Sequence, residues 1–475
     1  MTNPLTPGIC VIGGGAAGLS VAAAASAFGV PVVLIEQGKM GGEHLNAGCV
    51  PSKSLLAAAR RMSLLKTSDK FGITAGDIKI DFAKVRAHVQ DVIAAIAPND
   101  SAQRFSGLGV QVINGTARFT DRDTVTVGDT TIKAKRYVIA TGSLPAIPLI
   151  HGLNTVPVLT NENIFDLATL PEHLVVIGGG AAGIELAQAF RRFGCAVTVI
   201  EALRVLGNDD PECVDVLLAQ LARENIAIHQ NASVRNVSKD GSKIRLTLET
   251  PDGEKIVEGS HVLVAAGRRP NIDSLNLAAA NIRFDAAGIA VDKHLRTSNK
   301  HIYAIGDVTG GAGFTHVASY HASLVIKNAL FHLPAKADPG IIPHVTYTEP
   351  ELASVGITEA DAIKKKKGHV RVLRWSYHDN DRAQTERDTR GHIKVITDNH
   401  GKILGATIVG KNAGELITTW ALAVTQRLNI HAMAELIVPY PTLAEIGKRA
   451  AMTFFMPGLK TSLVQRIIAF LRRRF

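Results

Sequence analysis

The sequence predicts an α/β fold in which one unit of strand, turn, helix and strand occurs twice, near residue 10 and near residue 175. In the first copy a short apolar strand runs directly into a glycine-rich turn that spans Gly13 to Gly18. A helix continues to Phe28, Gly29 closes it, and the next strand ends at Glu36. A buried strand that enters a G-x-G-x-x-G turn at the start of a helix is typical of a Rossmann-like dinucleotide-binding domain.

Each glycine of the first turn has a separate physical task. Gly13 permits the tight turn, Gly15 lets the backbone approach a pyrophosphate at the positive end of the helix, and Gly18 allows the helix to pack closely on the strand. Glu36 stands about 20 residues further on, where its carboxylate can accept a hydrogen bond from a ribose hydroxyl. The first unit is therefore expected to bind a dinucleotide.

The second copy repeats this arrangement and indicates a second dinucleotide site. An apolar strand leads into Gly178, Gly180 and Gly183, a helix follows, and the next strand ends at Glu201. A carboxylate at this strand end accepts the 2′-hydroxyl of NADH and repels the additional phosphate of NADPH. NADH is therefore favoured, although Arg204 is close enough in sequence to weaken that preference.

Length and composition indicate a multidomain α/β protein. The 475 residues correspond to about three domains, and a content of 46% apolar and 20% charged residues is typical of a globular fold. We find no signal peptide and no apolar run of about 18 residues, so a cytoplasmic location is expected. The four cysteines form no C-x-x-C pair, which argues against a metal site or a secreted disulfide framework.

The formal net charge of +10 raises nucleic acid and anionic lipid as partners. The lysine run from Lys364 to Lys367 carries no interleaved aromatic residues, which proteins that bind single-stranded nucleic acid use for stacking. The run is interpreted as a solvated turn between a helix and a strand. No nucleic-acid partner is expected.

Further motifs accompany the two units, in an order that resembles the pyridine nucleotide-disulfide oxidoreductases. This family includes dihydrolipoamide dehydrogenase, glutathione reductase and mercuric reductase. The resemblance covers residues 8 to about 457 and adds the segments GGEHLNAGCVPSK (41–53), ATGS (140–143), AAGRRPN (265–271), YAIGD (303–307), YTEPE (347–351) and PYPTLAE (439–445). It implies an α/β fold with two Rossmann-like dinucleotide-binding domains plus an α+β dimerisation domain.

The resemblance also implies domain boundaries and an assembly. An FAD-binding domain is expected at residues 1–150 and 276–340, an NAD-binding domain at 151–275, and a dimerisation domain at 341–457. Members of the family are homodimers in which the last domain completes the active site of the partner subunit. A homodimer is therefore expected, and a monomer is expected to be inactive.

The same resemblance assigns FAD to the first unit and NAD(H) to the second. Asp307 would bond the ribityl chain, and Lys53 would lie near flavin N5 in an ion pair with Glu185. A fixed cation there stabilises the negative charge that develops on the flavin ring. The residues expected to contact FAD are Gly13, Gly15, Gly18, Glu36, Gly42, Lys53, Thr116, Ala117, Thr141, Gly142, Asp307 and Val317, and those expected to contact NAD are Gly178, Gly180, Gly183, Glu201 and Gly267.

Two positions depart from the pattern of the family's disulfide reductases. Those proteins carry two cysteines separated by four residues; here the second is Cys49, but His44 stands at the first. Tyr440 stands where the family has its catalytic histidine, although Glu445 is retained. Disulfide exchange needs an attacking and a resolving sulfur, and a tyrosine with a free pKa of about 10 is a poor proton shuttle at neutral pH. Both parts of the dithiol chemistry are altered.

Several interpretations of Cys49 and His44 stay open. A helix is expected to open near Pro51, so its dipole, Lys53 and His44 would favour the Cys49 thiolate. That thiolate would donate charge to the flavin or trap a peroxide as sulfenic acid; otherwise the thiol is a buried remnant. His44 is an idle substitution, a partner of the thiolate or an acid catalyst. The expected catalytic set is Cys49, His44, Lys53, Glu185, Tyr440 and Glu445.

The last segment, residues 458–475, is basic and amphipathic. Its apolar residues recur at helical spacing and its cations cluster towards the end: Leu459, Leu463, Ile467, Phe470 and Leu471, with Lys460, Arg466 and Arg472 to Arg474. An apolar face beside cations is typical of a helix that lies on an anionic membrane surface. The alternatives are a helix that packs on the dimer and a frayed end.

These observations lead to three functional hypotheses. The first is an NADH-dependent flavoprotein reductase that passes electrons to a non-disulfide acceptor, such as a quinone or a membrane redox partner, while attached peripherally to the inner membrane. The second keeps sulfur or metal chemistry through Cys49 alone, in a protein similar to dihydrolipoamide dehydrogenase or mercuric reductase. The third is a catalytically quiet flavoprotein that senses NADH and scaffolds a membrane complex.

Overall fold

The structure is a computed structural model that describes residues 3–366, 369–459 and 462–472. The chain forms two compact units, each of which draws on two stretches of sequence. The first unit comprises Met1–Ala202 and His229–Asp338, and the second comprises Leu203–Ile228 and Pro339–Phe475. Both glycine-rich turns lie in the first unit.

Strands and helices are numbered here in chain order. As far as residue 338, the strands are β1 (Ile9–Ile12), β2 (Val32–Glu36), β3 (Val110–Asn114), β4 (Arg118–Phe119), β5 (Val125–Val127), β6 (Thr130–Ile132), β7 (Arg136–Ile139), β8 (Ser143–Pro145), β9 (Val158–Leu159), β10 (His173–Ile177), β11 (Ala196–Ile200), β12 (Ala227–His229), β13 (Ser233–Asp240), β14 (Lys243–Thr250), β15 (Gly253–Gly259), β16 (His261–Val264), β17 (Arg268–Pro270), β18 (Phe284–Asp285), β19 (Gly288–Ile289) and β20 (Ile302–Ala304). The helices of this stretch are α1 (Ala16–Ala27), α2 (Gly42–Asn46), α3 (Cys49–Lys66), α4 (Phe82–Ile96), α5 (Ala102–Gly107), α6 (Ala181–Arg192), α7 (Pro211–Arg223) and α8 (Thr315–Ala329). Beyond it lie β21 (His344–Thr346), β22 (Glu351–Gly356), β23 (Val370–Ser376), β24 (His392–Asp398) and β25 (Ile403–Gly410), with α9 (Glu359–Lys366), α10 (Asp381–Thr385), α11 (Ala413–Thr425), α12 (Ile430–Glu435), α13 (Glu445–Met452), α14 (Met456–Leu459) and α15 (Ser462–Arg472).

The first glycine-rich unit belongs to a five-stranded parallel sheet with the order β20, β7, β1, β2 and β3. In the central strand β1, Ile9 pairs with Val32 on one side and with Arg136 on the other. Val11 packs with α1 and α8 on one face of the sheet, and Cys10 joins a second apolar cluster on the opposite face. Burial on both faces is why the strand is a continuous apolar run and not an alternating one.

The second glycine-rich unit forms a separate sheet with the order β12, β11, β10, β16 and β9. β10 pairs in parallel with β11 and β16, and α6 connects β10 to β11 as α1 connects β1 to β2. Val175 and Ile177 pack with Leu246 of the antiparallel sheet β13 to β15. The predicted repeat of strand, turn, helix and strand is confirmed.

The second unit contains a five-stranded antiparallel sheet with the order β21, β22, β25, β24 and β23. Helices α11 and α13 contribute Ile417, Trp420 and Ile446 to the apolar core that this sheet shares. An antiparallel sheet with helices on it is the α+β part of the predicted fold class. That fold class is confirmed.

The lysine run does not form the predicted turn. Lys364, Lys365 and Lys366 occupy the last turn of α9, and Lys367 lies outside the described residues. Their side chains are exposed, and cations at a helix C-terminus interact favourably with the helix dipole. The run is therefore solvated as predicted, but it extends the helix.

The basic amphipathic segment forms α15 over its described part. Its apolar side chains are exposed at Ile467, Ile468, Phe470 and Leu471. The cations Lys460, Arg473 and Arg474 lie outside the described residues, as do the side chains of Leu459 and Leu463. Within the part of the chain that the structure describes, none of the helices has the length and apolar character that crossing a bilayer requires.

Candidate functional site

The turn after β1 is closed by contacts that exclude any side chain. Gly13 has a φ of +111°, and a Cβ there would lie 2.4 Å from the carbonyl oxygen of Ala140, just after β7. A Cβ on Gly18 would lie 1.8 Å from the carbonyl oxygen of Gly13. Both distances are far below van der Waals contact, so a larger residue would push α1 away from the turn. These contacts explain the spacing of the two glycines.

The turn after β10 has the same geometry. Gly178 has a φ of +115°, and a Cβ there would lie 2.4 Å from the carbonyl oxygen of Ala265, which follows β16. A Cβ on Gly183 would lie 2.1 Å from the carbonyl oxygen of Gly178. Gly267 comes two residues after Ala265, as Gly142 comes two residues after Ala140, and both have positive φ. The segments 140–142 and 265–267 are therefore equivalent parts of the two sites.

A carboxylate ties each turn to the end of the neighbouring strand. The backbone N–H of Gly14 donates to Oε2 of Glu36 at 2.6 Å, and the N–H of Gly179 donates to Oε2 of Glu201 at 2.7 Å. Each acid lies beside the N-terminal end of a helix, where the dipole favours negative charge. A carboxylate oxygen that accepts one N–H retains capacity for a hydroxyl donor, as a ribose site requires.

A cleft of about 370 Å³ runs past the first turn. Helices α1, α3 and α8 begin at Ala16, Cys49 and Thr315, which all line this cleft. The positive ends of three helices therefore face it, an arrangement that suits a diphosphate. The predicted FAD residues that line it are Gly13, Gly15, Glu36, Gly42, Thr141, Gly142 and Asp307, and His44 lines it too. We call this space the first cleft.

Five predicted FAD residues do not line the first cleft. Val317 is buried in the core because it faces away from Thr315 and Ala318, which lie one turn apart on the other side of α8. Thr116 is exposed, whereas Ala117 lines a small adjoining cavity of about 60 Å³. Gly18 packs on the turn, and Lys53 lies elsewhere on α3. Direct contact of Val317 and Thr116 with FAD stays a prediction that the lining of this cleft does not support.

Sequence reasoning missed a polar network in the first cleft. Arg268 donates from Nη2 to Glu43 at 2.7 Å and from Nε to the Ser143 hydroxyl at 2.7 Å. Ser143 in turn donates to Oδ2 of Asp307 at 2.7 Å. Burial raises the pKa of Glu43, and Arg268 opposes that shift. Arg268 of the AAGRRPN segment was the signal in the sequence that could have revealed this network. An arginine at a strand end beside a nucleotide site needs a carboxylate partner.

Two buried polar atoms in the first cleft lack a hydrogen-bond partner among the described residues, namely Nδ1 of His44 and Oγ1 of Thr141. Buried polar groups are rarely left without a partner, so atoms of this kind indicate a missing ligand. A polar ligand with a diphosphate, hydroxyls and ring heteroatoms would supply a partner for Oγ1 of Thr141. The residues of the cleft therefore fit a flavin dinucleotide.

Cys49 is the exposed thiol of the chain. It is the first residue of α3, two positions before Pro51, and its Sγ lies 3.3 Å from Oγ1 of Thr315. The prediction of a buried remnant is wrong. The other cysteines are buried, which raises the pKa of Cys195 to about 11 and those of Cys10 and Cys213 well above their usual range. Such thiols are inert at neutral pH.

Lys53 and Glu185 form the ion pair that the motifs predicted. The Nζ of Lys53 donates to Oε2 of Glu185 at 2.7 Å, and the carboxylate is almost fully buried. Lys53 follows Cys49 by one helical turn on α3, so the two residues share a face of that helix. The pair thus fixes a cation near the thiol end of the first cleft.

Tyr440 and Glu445 lie in the second unit. The Tyr440 hydroxyl donates to Oδ2 of Asp381 at 2.9 Å, and the ring is exposed. This hydrogen bond to Asp381 raises the pKa of Tyr440, with a smaller contribution from Glu445. The raised pKa makes loss of the phenolic proton less favourable, and that Tyr440 is a poor proton shuttle stays a prediction. Its partner Asp381 was not predicted.

Known proteins match this chain along most of its length. Residues 7–322 match the family model described as pyridine nucleotide-disulphide oxidoreductase, and residues 342–451 match the dimerisation domain of that family. Mercuric reductase of Streptomyces lividans is 38% identical over 463 residues, which cover 96% of this chain and 97% of that protein. Dihydrolipoyl dehydrogenase of Bacillus subtilis (strain 168) is 35% identical over 456 residues, covering 94% of this chain and 96% of that protein.

Solved structures agree with these matches. The Cu(II) complex of the HOCl-induced flavoprotein disulfide reductase RclA from Escherichia coli superposes with a TM-score of 0.84 at 27% identity, covering 95% of this chain and 100% of that one. LpdA from Mycobacterium tuberculosis superposes with a TM-score of 0.85 at 28% identity, covering 94% and 99%. The dimerisation-domain match supports a homodimer. The chain belongs to the pyridine nucleotide-disulphide oxidoreductase family, whose members are FAD-dependent oxidoreductases that use NAD(P)H.

Proposed function

We propose that the protein is an NADH-dependent flavoprotein reductase that passes electrons to a non-disulfide acceptor, of which a quinone is the leading candidate. The observation that carries this proposal is the single thiol of the first cleft. By the resemblance, His44 stands where the family's disulfide reductases carry the first cysteine, and the remaining three cysteines are buried. A mixed disulfide formed on Cys49 would have no resolving thiolate, so turnover with a disulfide substrate would stall.

Each of the two glycine-rich turns would bind one of the two dinucleotides. The turn at Gly178 to Gly183 and the carboxylate of Glu201 would hold NADH, and the turn at Gly13 to Gly18 would hold FAD. When bound, the flavin accepts a hydride equivalent from the nicotinamide and releases the electron pair to the acceptor. Lys53, held by Glu185, supplies the fixed positive charge that favours this electron-rich state.

A second candidate function is metal-ion or sulfur chemistry through Cys49 alone. It is favoured by the similarity to mercuric reductases and by the exposure of the Cys49 thiol at the start of α3. A single thiolate can bind a soft metal ion, and an external thiol would have to complete its coordination. Among the described residues no group of three metal-ligating side chains is assembled, so the ion would be a substrate and not a resident cofactor.

We further propose that the dimer attaches to an anionic membrane surface through the basic amphipathic segment. The exposed apolar side chains of α15 and the cations of its sequence support this proposal. Basic residues near an anionic surface contribute about 1 kcal/mol each, which gives reversible attachment. A cytoplasmic location with peripheral attachment to the inner membrane stays a prediction, and packing of α15 on the dimer is the competing outcome.

Two measurements test the proposed function. Anaerobic titration with NADH is expected to bleach the flavin absorbance, and a flavin that stays oxidised would leave only the NADH-sensing scaffold. Reoxidation is then followed by stopped flow against soluble quinone, lipoamide, glutathione disulfide, Hg(II) and oxygen. Quinone is expected to be the fastest acceptor. Faster reoxidation by Hg(II) or by a disulfide would contradict the proposed quinone reductase and favour the second candidate function.

A further inference from the structure

His44 is held in the first cleft by a residue that the motifs did not mark. Helix α2 places the imidazole so that Nε2 lies 3.4 Å from Oδ2 of Asp100, at the end of the 3₁₀ turn Ala97–Asp100. Both side chains are mostly buried, with 22% and 20% exposure. Gly41, with φ of +87°, makes room for the carboxylate, since a Cβ there would lie 3.2 Å from the same oxygen.

The two ring nitrogens of His44 have different surroundings. Nε2 is the nitrogen that lies beside the carboxylate of Asp100, whose negative charge favours a proton on that atom. Nδ1 is buried and has no hydrogen-bond partner among the described residues. His44 also lines the first cleft together with Cys49. The ring is therefore held beside Asp100 at Nε2, whereas Nδ1 is buried without a partner among the described residues.

The remaining titratable groups of the first cleft are less suited to proton donation. Glu43 is paired with Arg268, and Asp307 accepts from Ser143. Both carboxylate oxygens of Glu36 accept backbone N–H groups, from Gly14 and Gly38. The other titratable side chains that line the cleft are Lys39, Cys49 and Glu162. His44 is the one imidazole in this lining, and histidine is the side chain that most often serves as a general acid or base.

We propose that His44 is the general acid that protonates the electron acceptor, and that Asp100 is its positioning residue. This inference rests on the proposed function and assigns the proton that the reaction needs. A hydride equivalent brings a quinone two electrons and one proton, so one more proton is required to form the hydroquinone. The Nδ1–H bond of the His44 imidazolium breaks as the second O–H bond of the hydroquinone forms. The neutral ring then regains a proton from water.

Comparison of two electron acceptors, quinone and ferricyanide, distinguishes a general-acid role of His44 from a structural role. Quinone needs a proton in addition to the hydride equivalent, whereas two ferricyanide ions take the electron pair and bind no proton. In the holoenzyme, His44→Gln is expected to lower NADH:quinone turnover by about 10²- to 10⁴-fold, the usual contribution of a general acid. Both rates are expressed per bound flavin, so that any loss of FAD from the variant cancels, and NADH:ferricyanide turnover is expected to fall far less than NADH:quinone turnover. His400→Gln, at an exposed histidine of the second unit, is the matched control and should change neither.

Asp100→Asn tests the positioning role by spectroscopy as well as by rate. In wild-type protein labelled with ¹⁵N-histidine, the His44 signals, identified by their loss in His44→Gln, are expected to show the Nε2–H tautomer. Asp100→Asn is expected to reduce that tautomer and to slow quinone turnover less than His44→Gln does. An unchanged tautomer would overturn the role of Asp100.

The remaining outcomes distinguish failure of this inference from failure of the proposed function. A His44→Gln protein that retains quinone turnover, or that loses ferricyanide turnover equally, would overturn the inference and leave the proposed function in place. A wild-type protein that reduces ferricyanide but not quinone would overturn the proposed function, and with it this role of His44.

Discussion

At the residue scale, Glu201 stabilises the turn after β10 and is expected to favour NADH over NADPH. Its Oε2 accepts the N–H of Gly179, which an amide oxygen could also do, whereas only the charge repels the additional phosphate of NADPH. Glu201→Gln is therefore expected to keep the turn and to narrow the preference for NADH over NADPH by about tenfold or more. A hydrogen bond to a charged group contributes about 1.5–3 kcal/mol, which corresponds to this range.

The measurement for Glu201 is the ratio of kcat/KM for the two nucleotides. Replacement of the exposed Glu254, on β15 of the same unit, by Gln is the control and should leave the ratio unchanged. Equal wild-type values for NADH and NADPH would contradict the assigned role.

Asp307 carries a second prediction at this scale. Its carboxylate ends the chain of hydrogen bonds from Glu43 through Arg268 and Ser143, and it lines the first cleft. Asp307→Ala removes the acceptor proposed for the ribityl hydroxyls and is expected to yield protein with little bound flavin. The ratio of flavin to protein absorbance measures this directly. Full flavin occupancy in the variant would contradict the assignment, while Asp129→Ala, at an exposed position in the turn between β5 and β6, should bind flavin normally.

The pair of substitutions at 44 and 440 predicts weak disulfide chemistry. Wild-type turnover with lipoamide or glutathione disulfide is expected to fall well below the usual enzyme range of about 1–10³ per second. His44→Cys restores a second sulfur, and His44→Cys with Tyr440→His also restores a proton shuttle. Disulfide turnover, measured as steady-state NADH consumption, is therefore expected to rise from wild type to His44→Cys and again to the double variant. Wild-type turnover within the usual range would refute this prediction.

At the element scale, a group of charged side chains joins α7 to the antiparallel sheet of the second unit. Lys394 on β24 is only 3% exposed and lies 2.8 Å from Asp210, 3.0 Å from Glu212 and 2.6 Å from Glu359. Arg374 on β23 adds two short contacts to Glu212. A buried cation surrounded by carboxylates is costly to break, because the partner charges would remain buried without compensation.

This group predicts how the second unit responds to acid. The hydrogen bond from Arg374 lowers the pKa of Glu212 to about 2, against an ordinary value of 4.5. A carboxyl whose pKa is lower in the folded state stabilises the fold above its ordinary pKa, and this stabilisation is lost as pH falls from about 4.5 towards 2. Glu212 is partly exposed, so solvent screening reduces the effect.

Urea unfolding at pH 7 and at pH 3 measures that loss. Arg374→Met should be less stable than wild type at pH 7 and should lose less stability on going to pH 3. Lys402→Met, at an exposed lysine of the same unit, is the control and should follow wild type. A pH dependence of Arg374→Met equal to that of wild type would contradict the role of this pair.

At the scale of the whole molecule, the basic amphipathic segment is separable from the catalytic chemistry. Truncation after Pro457 is expected to leave flavin content and turnover with soluble quinones unchanged, and to abolish co-sedimentation with anionic vesicles. Two copies in a homodimer reinforce each other, because binding of the first raises the effective concentration of the second. Attachment should weaken with salt, since surface charges are screened over about 8 Å at physiological ionic strength. Equal sedimentation of truncated and full-length protein would identify the segment as a packing element.

The spacing of residues within short segments allowed both nucleotide-binding turns to be predicted from the sequence. The turn glycines at 13, 18, 178 and 183 and the acids at the ends of β2 and β11 were found because a short-range pattern reports backbone geometry within one unit. The two Rossmann-like units, and the pairing of Lys53 with Glu185 by motif match, also followed from the sequence. The extension of α9 through the lysine run was not predicted, because exposed charges are compatible with a turn and with a helix end.

The sequence by itself determined the fold class, the two nucleotide-binding units and the family, since each of these depends on residue identity at fixed spacing. Tertiary structure alone decided which side chains meet: Asp100 beside His44, Thr315 beside Cys49, and Arg268 between Glu43 and Ser143. It also decided that Val317 faces the core. Partners that lie tens or hundreds of residues apart leave no periodic signal in one sequence, because their contact depends on how strands and helices are packed and not on local spacing.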